Sequence, residues 1–200
     1  MRDCRMFKNQ TAREEFDMGM FSMAGEFLDT VTGPASSLVK NVFMDTVHPV
    51  VGSVVRTDLA FGLASHTGIY VGENRIVEIT EVDDEARVQI VTPRQFLDGG
   101  WTRTGAYVYV ASEKFDNGDL YALGSQSIAD RALAAVGPRG RYYAMCNNCH
   151  QFTRYCITGI DNEYSTPWTV DDIVEALKKR FRVDDVYWRS AGGVFAGYGS

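Results

Sequence analysis

The amino-acid sequence predicts an α+β protein, and three observations carry that reading. Helical patterns flank a central block of strand-like segments rather than alternating with them. Within the block the segments are separated by short turn signals, as in an antiparallel meander. The 200 residues are 45% hydrophobic and 23% charged, which supplies enough apolar surface for one sizeable core.

In chain order, residues 1–17 are polar and read as a loosely ordered arm. From Met18 to Val47 the apolar spacing is helical, Met-rich and interrupted at Gly33-Pro34, so two short helices are expected. Residues 1–47 therefore form an N-terminal segment ahead of a domain over 48–160. Beyond Pro49 and Gly52, strands are expected at Ser53–Arg56, Ser65–Val71, Arg75–Thr80, Arg87–Val91 and Ala106–Ala111, where side chains alternate or are β-branched and aromatic. A charged, glycine-containing loop follows Ala111. Ser125 or Ser127 is placed to cap a helix reaching about Val136, which Gly137-Pro138 ends. A second helix is expected from Asn148 to just before Gly159. A third starts at Thr169, capped there with Asp172 three residues on, and runs to Phe181. Residues 161–200 read as this helix plus a glycine-rich tail packed on the same domain.

Charge and cysteine usage narrow the function. A net charge of −6 argues against generic nucleic-acid binding, which needs clustered Lys and Arg. The basic run Lys178-Lys179-Arg180 with Arg182 closes a helix and complements its dipole. No run approaches the roughly 20 apolar residues of a membrane span. The stretch from Met18 to Phe43 carries Glu26, Asp29 and Lys40 and lacks the basic-then-apolar start of a secretory signal. Four cysteines, three of them crowded between 146 and 156, do not make a secreted disulfide framework. The expected compartment is reducing, hence cytoplasmic; a secreted effector would share this composition.

The crowded cysteines carry the chemistry. Asn148 is a good N-cap, which puts Cys149 in the first turn of "CHQFTRYC", where orphan N–H groups and the dipole stabilise a thiolate. The same N–H groups suit a developing oxyanion. Among three histidines, His48 precedes a proline, and His150, adjacent to Cys149, points about 100° away on a helix. His66, opening the strand "HTGIYV", is the candidate base. Glu78 orients it if the turn Gly72-Glu73-Asn74 has three residues, for Glu78 then pairs with Gly68 and shares the His66 face; a two-residue loop would part them. Tyr70, on that face, and Asn148 are candidates for substrate or oxyanion contacts, against a packing role. Cys146-x-x-Cys149 lacks a thioredoxin-like context, and a zinc site lacks its second ligand pair. No metal or cofactor is expected, and Cys156 reads as core.

These residues carry a resemblance. "HTGIYVGENRI" and "NCHQFTRYCITG" resemble the lecithin–retinol acyltransferase family, a circularly permuted branch of the NlpC/P60 papain-like superfamily. The strand motif there has the form His-x-Gly-Ile-Tyr-x-Gly-Asp-Asn-Arg, and the helix motif reads Asn-Cys-Glu-His-Phe-x-x-x-Cys-x-x-Gly. "PVVGSVVR" and "RALAAVGPRGRYYAMCNNC" are similar too, so the likeness runs from Pro49 to Gly159. It implies a permuted NlpC/P60 fold with an antiparallel sheet against the cysteine helix. It also implies a thiol mechanism in which Cys149 attacks an ester or amide, His66 takes its proton and Glu78 orients the imidazole. Acyl donor and acceptor would be small molecules, with membrane lipid one candidate. Where that motif has Cys-Glu-His this chain has Cys149-His150-Gln151, and no apolar membrane-anchoring tail is expected. A peptidase, amidase or deamidase on the same dyad, and a catalytically silent binding module, are the alternatives.

Overall fold

The computed structural model describes residues 46–59, 64–83, 85–98, 107–141, 148–160 and 169–192. The chain divides into two units, Met1–Phe43 and Met44–Ser200, and the description below concerns the second. The two N-terminal helices expected from Met18 to Val47 lie outside the described residues, apart from their last two positions. So do Ala106, Cys146 and the glycine-rich tail beyond Gly192.

An antiparallel sheet forms the frame of an α+β fold. Its strands are β1 (Val54–Leu59), β2 (Ala64–Gly72), β3 (Arg75–Val82), β4 (Glu85–Val91), β5 (Tyr109–Lys114), β6 (Leu120–Ala122), β7 (Gly137–Arg141) and β8 (Tyr187–Ser190). They run in the order β6-β5-β1-β2-β3-β4-β7, with β8 also on β5. The helices are α1 (Pro93–Leu97), α2 (Gln126–Ala134), α3 (Cys149–Thr158) and α4 (Val170–Phe181).

Alternation along the strands sorts the apolar side chains onto two faces. Val54, Ile69, Val77, Ile79 and Val88 form one core with Ile128 of α2, Phe152, Cys156 and Ile157 of α3, and Ile173 and Leu177 of α4. Val55, Ile76, Val91, Val108 and Val110 form the other with Phe96 of α1. α3 thus buries one stripe against the sheet, as an amphipathic helix must.

The expected elements appear with several corrections. The segment read as a loop after Ala111 is the β5–β6 hairpin, and Gly137-Pro138 opens β7 instead of merely ending α2. A strand with this composition is tolerated because β7 sits at the sheet's edge. α1 and β8 were not expected. Ser125 and Thr169 hold the N-cap positions of α2 and α4, yet neither side chain caps a backbone N–H. Ser125 pairs with the Ser127 hydroxyl at 3.2 Å, and Thr169 donates to Asp172 Oδ2 at 3.4 Å. Lys178, Lys179 and Arg180 do occupy the last turn of α4, opposite Asp171 and Asp172 in its first.

Candidate active site

Both ends of α3 are pinned by specific polar contacts. Asn148 is extended, and its Oδ1 accepts from the Gln151 N–H at 2.9 Å. Cys149 therefore opens the helix at its positive end. At the other end Gly159 turns left-handed (φ 73°), while Arg131 of α2 donates to the carbonyls of Cys156 (2.6 Å) and Ile157 (3.0 Å).

The β2–β3 hairpin sets the register of the second half of the site. Its loop is two residues, Glu73 and Asn74, both at positive φ (49° and 53°), and Gly72 pairs with Arg75. The expected three-residue turn is thus corrected. A bulge at Val71 supplies the missing residue, so that Tyr70 pairs with Ile76 and Ile69 with Val77. Continued one step, that register sets Glu78 opposite Gly68, as a three-residue turn would have. His66 and Glu78 consequently share a face, with Nε2 and Oε2 2.7 Å apart, and both side chains are buried. Glu78 Oε1 accepts from Gln89 of β4 at 3.0 Å.

α1 walls this pair, although the sequence reading missed it. Thr92 and Gln95 form a reciprocal capping box with Pro93 in the first turn, a legible helix-start signal. The helix exists to present Phe96, whose ring centroid lies 5.1 Å from that of His66. Gly68 makes room for it: a Cβ there would sit 2.9 Å from the Val77 carbonyl and 3.0 Å from Phe96.

Cys149 meets this arrangement from the helix side. The bridge pairs of β2 and β3 stop at Ile69 and Val77, short of His66 and Glu78. There α3's first turn closes on β2 through the residues either side of His66. Thr67 Oγ1 donates to the Cys149 carbonyl at 3.2 Å, and the Cys149 Sγ lies 4.0 Å from the Ser65 carbonyl. The thiol and the imidazole are electrostatically coupled, each favouring the charged form of the other. With Nε2 on Glu78, Nδ1 is the ring nitrogen left for sulfur.

The electrostatics follow from this burial and pairing. Burial alone would lower His66, but the Cys149 charge and hydrogen bond, then those of Glu78, outweigh it and raise the imidazole from 6.5 to about 8. Burial would push Cys149 up, while the His66 charge and hydrogen bond and donors on Thr67 hold it below the ordinary thiol range. The arrangement favours a thiolate beside an imidazolium. Cys156, two turns away, has no such partner, and burial pushes it up to about 12.

The structure brings Cys149, His66, Glu78 and Asn148 together. Tyr70, half-buried, packs against the second core. His150 is buried, with its Nε2 3.2 Å from Ser65 Oγ. The residues missed by sequence reasoning are Phe96, Gln89, Ser65 and Thr67. Of these only the Phe96 helix left a local signal.

An antiparallel sheet with a thiol at a capped helix start, coupled to an imidazole that a carboxylate holds, is a layout that thiol enzymes share. The family model for lecithin retinol acyltransferase matches residues 48–162, more than half of the 200-residue chain, and the chain belongs to that family. Membership points to acyltransferase and thiol-enzyme chemistry in general. No curated protein and no solved structure matches the chain. Among the described residues no helix is long and apolar enough to cross a membrane.

Proposed function

We propose that this protein is a thiol acyltransferase or hydrolase that forms an acyl-cysteine intermediate from a lipid-like ester or amide. Its fold is read as a circularly permuted NlpC/P60 domain. The observation that supports the reading most is the buried chain from Cys149 through His66 to Glu78.

In this reading His66 Nδ1 takes the proton of Cys149 and the sulfur attacks the acyl carbonyl carbon. The carbonyl electrons move onto oxygen, which the N–H of Cys149 at the helix start can stabilise. Collapse expels the alcohol or amine, which takes its proton from the imidazolium, and leaves a thioester on Cys149. Water or an acceptor alcohol or amine then attacks, passing its proton to His66 and releasing the thiolate. Glu78 keeps Nε2 protonated and stabilises the imidazolium in both halves. The donor and acceptor are small molecules, with membrane lipid among the candidates.

Intact mass after incubation with phospholipid or thioester donors tests this. The wild type should gain one acyl group, and Cys149→Ala and His66→Ala should gain none. An adduct that persists on either variant overturns the assignment. Turnover of peptide or glutamine amides, with no reaction toward phospholipids and thioesters, would move the chain to the peptidase and amidase branch.

A further inference from the structure

We propose that Gln89 is a positioning residue of this site, its side-chain amide holding Glu78 ionised and aimed so that the carboxylate keeps its charge for His66. The inference rests on the reading of Cys149, His66 and Glu78 as the reacting chain and adds one member to it.

Glu78 and Gln89 face each other directly across β3 and β4. Their side chains share the sheet face of Ile76 and Val91, where Phe96 stands against His66. Glu78 is 1% exposed, and a carboxylate out of water is costly unless hydrogen bonds satisfy it. Here each oxygen meets a side-chain donor. Oε2 faces His66 Nε2 at 2.7 Å, and Oε1 accepts from Gln89 Nε2 at 3.0 Å. Bonds on both oxygens fix the plane of the carboxylate and its aim at the imidazole. An ionised carboxylate accepts only, so the amide presents its NH2 group to it.

The type of residue at this place decides what happens to the charge. An Arg or Lys would neutralise Glu78 and slacken its hold on the imidazolium. An aliphatic side chain would take the donor from Oε1 and favour the protonated acid. The Gln89 amide supplies an N–H without a charge, at any pH. A protonated Glu78 would be no more to His66 than a neutral acceptor, so Gln89 protects the thiolate–imidazolium form on its acid side. The titratable group facing Glu78 is His66 on β2, with Cys149 of α3 coupled to it. Farther along the same face are Tyr70 on β2 and exposed Arg87 on β4, while Arg94 and Asp98 of α1 are exposed.

The test is iodoacetamide alkylation of Cys149 in the full chain across pH, read by intact mass against a Cys149→Ala blank, with melting curves to confirm folding. Gln89→Met keeps the length and removes the N–H. Its acid limb should rise by about half to one pH unit, so alkylation at a fixed pH on that limb falls about three- to tenfold. Gln89→Glu should keep the wild-type limb, because two facing carboxyl groups there share one proton and one charge. In a Glu78→Gln background, adding Gln89→Met should cost less than about a further twofold, since the amide acts through the carboxylate. An acid limb unmoved in Gln89→Met overturns the proposal, as does an undiminished further loss in the double variant. Should Gln89→Met fail to fold, a Gln89→Glu limb displaced as far as that of Glu78→Gln overturns it. A Glu78→Gln variant with the wild-type profile refutes instead the reading of the carboxylate beneath it.

Discussion

Replacing Glu78 by glutamine removes one charge and almost no volume from the site. The fold should tolerate it. The new amide oxygen can accept from His66 Nε2, and its NH2 group then faces the side chain of Gln89, 3.0 Å from the present carboxylate. Gln89 is half-buried and can rotate its amide to offer oxygen instead. What is lost is the charge-assisted bond at 2.7 Å. A hydrogen bond to a charged group contributes about 1.5–3 kcal/mol, and a neutral one about 0.5–1.5, so the imidazolium loses about 1–1.5 kcal/mol. At about 1.4 kcal/mol per pH unit, its alkaline limit should drop from about 8 by about one unit. Because the imidazolium supports the thiolate, the acid limb of Cys149 alkylation should rise. On that limb the rate at fixed pH should fall about tenfold. Alkylation followed across pH by intact mass, with Cys149→Ala as blank, measures the acid limb, and kcat/KM across pH measures the alkaline one. A folded Glu78→Gln variant with the wild-type profile would refute the reasoning, because the carboxylate would then not act on the imidazole.

Other outcomes follow from the same contacts. The thiolate–imidazolium form exists between the lowered Cys149 value and about pH 8, so kcat/KM should rise with pH below the ordinary thiol range and fall near 8. A plateau continuing to pH 10 would exclude His66 as the proton donor to the leaving group. Thr57, across from His66 on β1, has a buried hydroxyl without a hydrogen-bond partner among the described residues, so Thr57→Val should be neutral or stabilising by up to about 1 kcal/mol. Thermal melting reads this, and a clear loss of stability would mean that the hydroxyl is satisfied by a bound water or ligand. Gly68→Ala should cost about 1–3 kcal/mol, because its Cβ meets the fixed Val77 carbonyl at 2.9 Å. In a chain of this size a drop of several degrees in Tm is expected, and an unchanged Tm would show that the β2–β3 approach can relax.

Replacing His150 probes the residue next to the thiol. His150→Glu would set a second anion on the first turn of α3, beside Ser65. Like charge disfavours a thiolate, so the Cys149 alkylation midpoint should rise relative to the wild type, read by the same mass assay. A fall would show that His150 itself holds the thiol in its neutral form.

The sequence by itself determined the α+β class and the caps of the cysteine helix, and it singled out candidates to meet at the helix start. Caps and periodicity act within a turn or two of chain, so Asn148 and the stripe of Phe152 and Cys156 could be read directly. The pairing of His66 with Glu78 was legible only as a condition on the hairpin. The structure reached the same register by another route, a two-residue turn plus a bulge at Val71, because a left-handed Glu73-Asn74 loop and core packing of both faces had to be satisfied together. Tertiary structure alone decided where Phe96 walls the imidazole, how Ser65 and Thr67 grip α3, and where His150 is buried. It also made a strand of Gly137–Arg141, whose composition argues against one, by offering it the free edge of β4. These contacts join residues up to 86 positions apart, and no local pattern in the chain encodes a distance that only a paired sheet and a docked helix create.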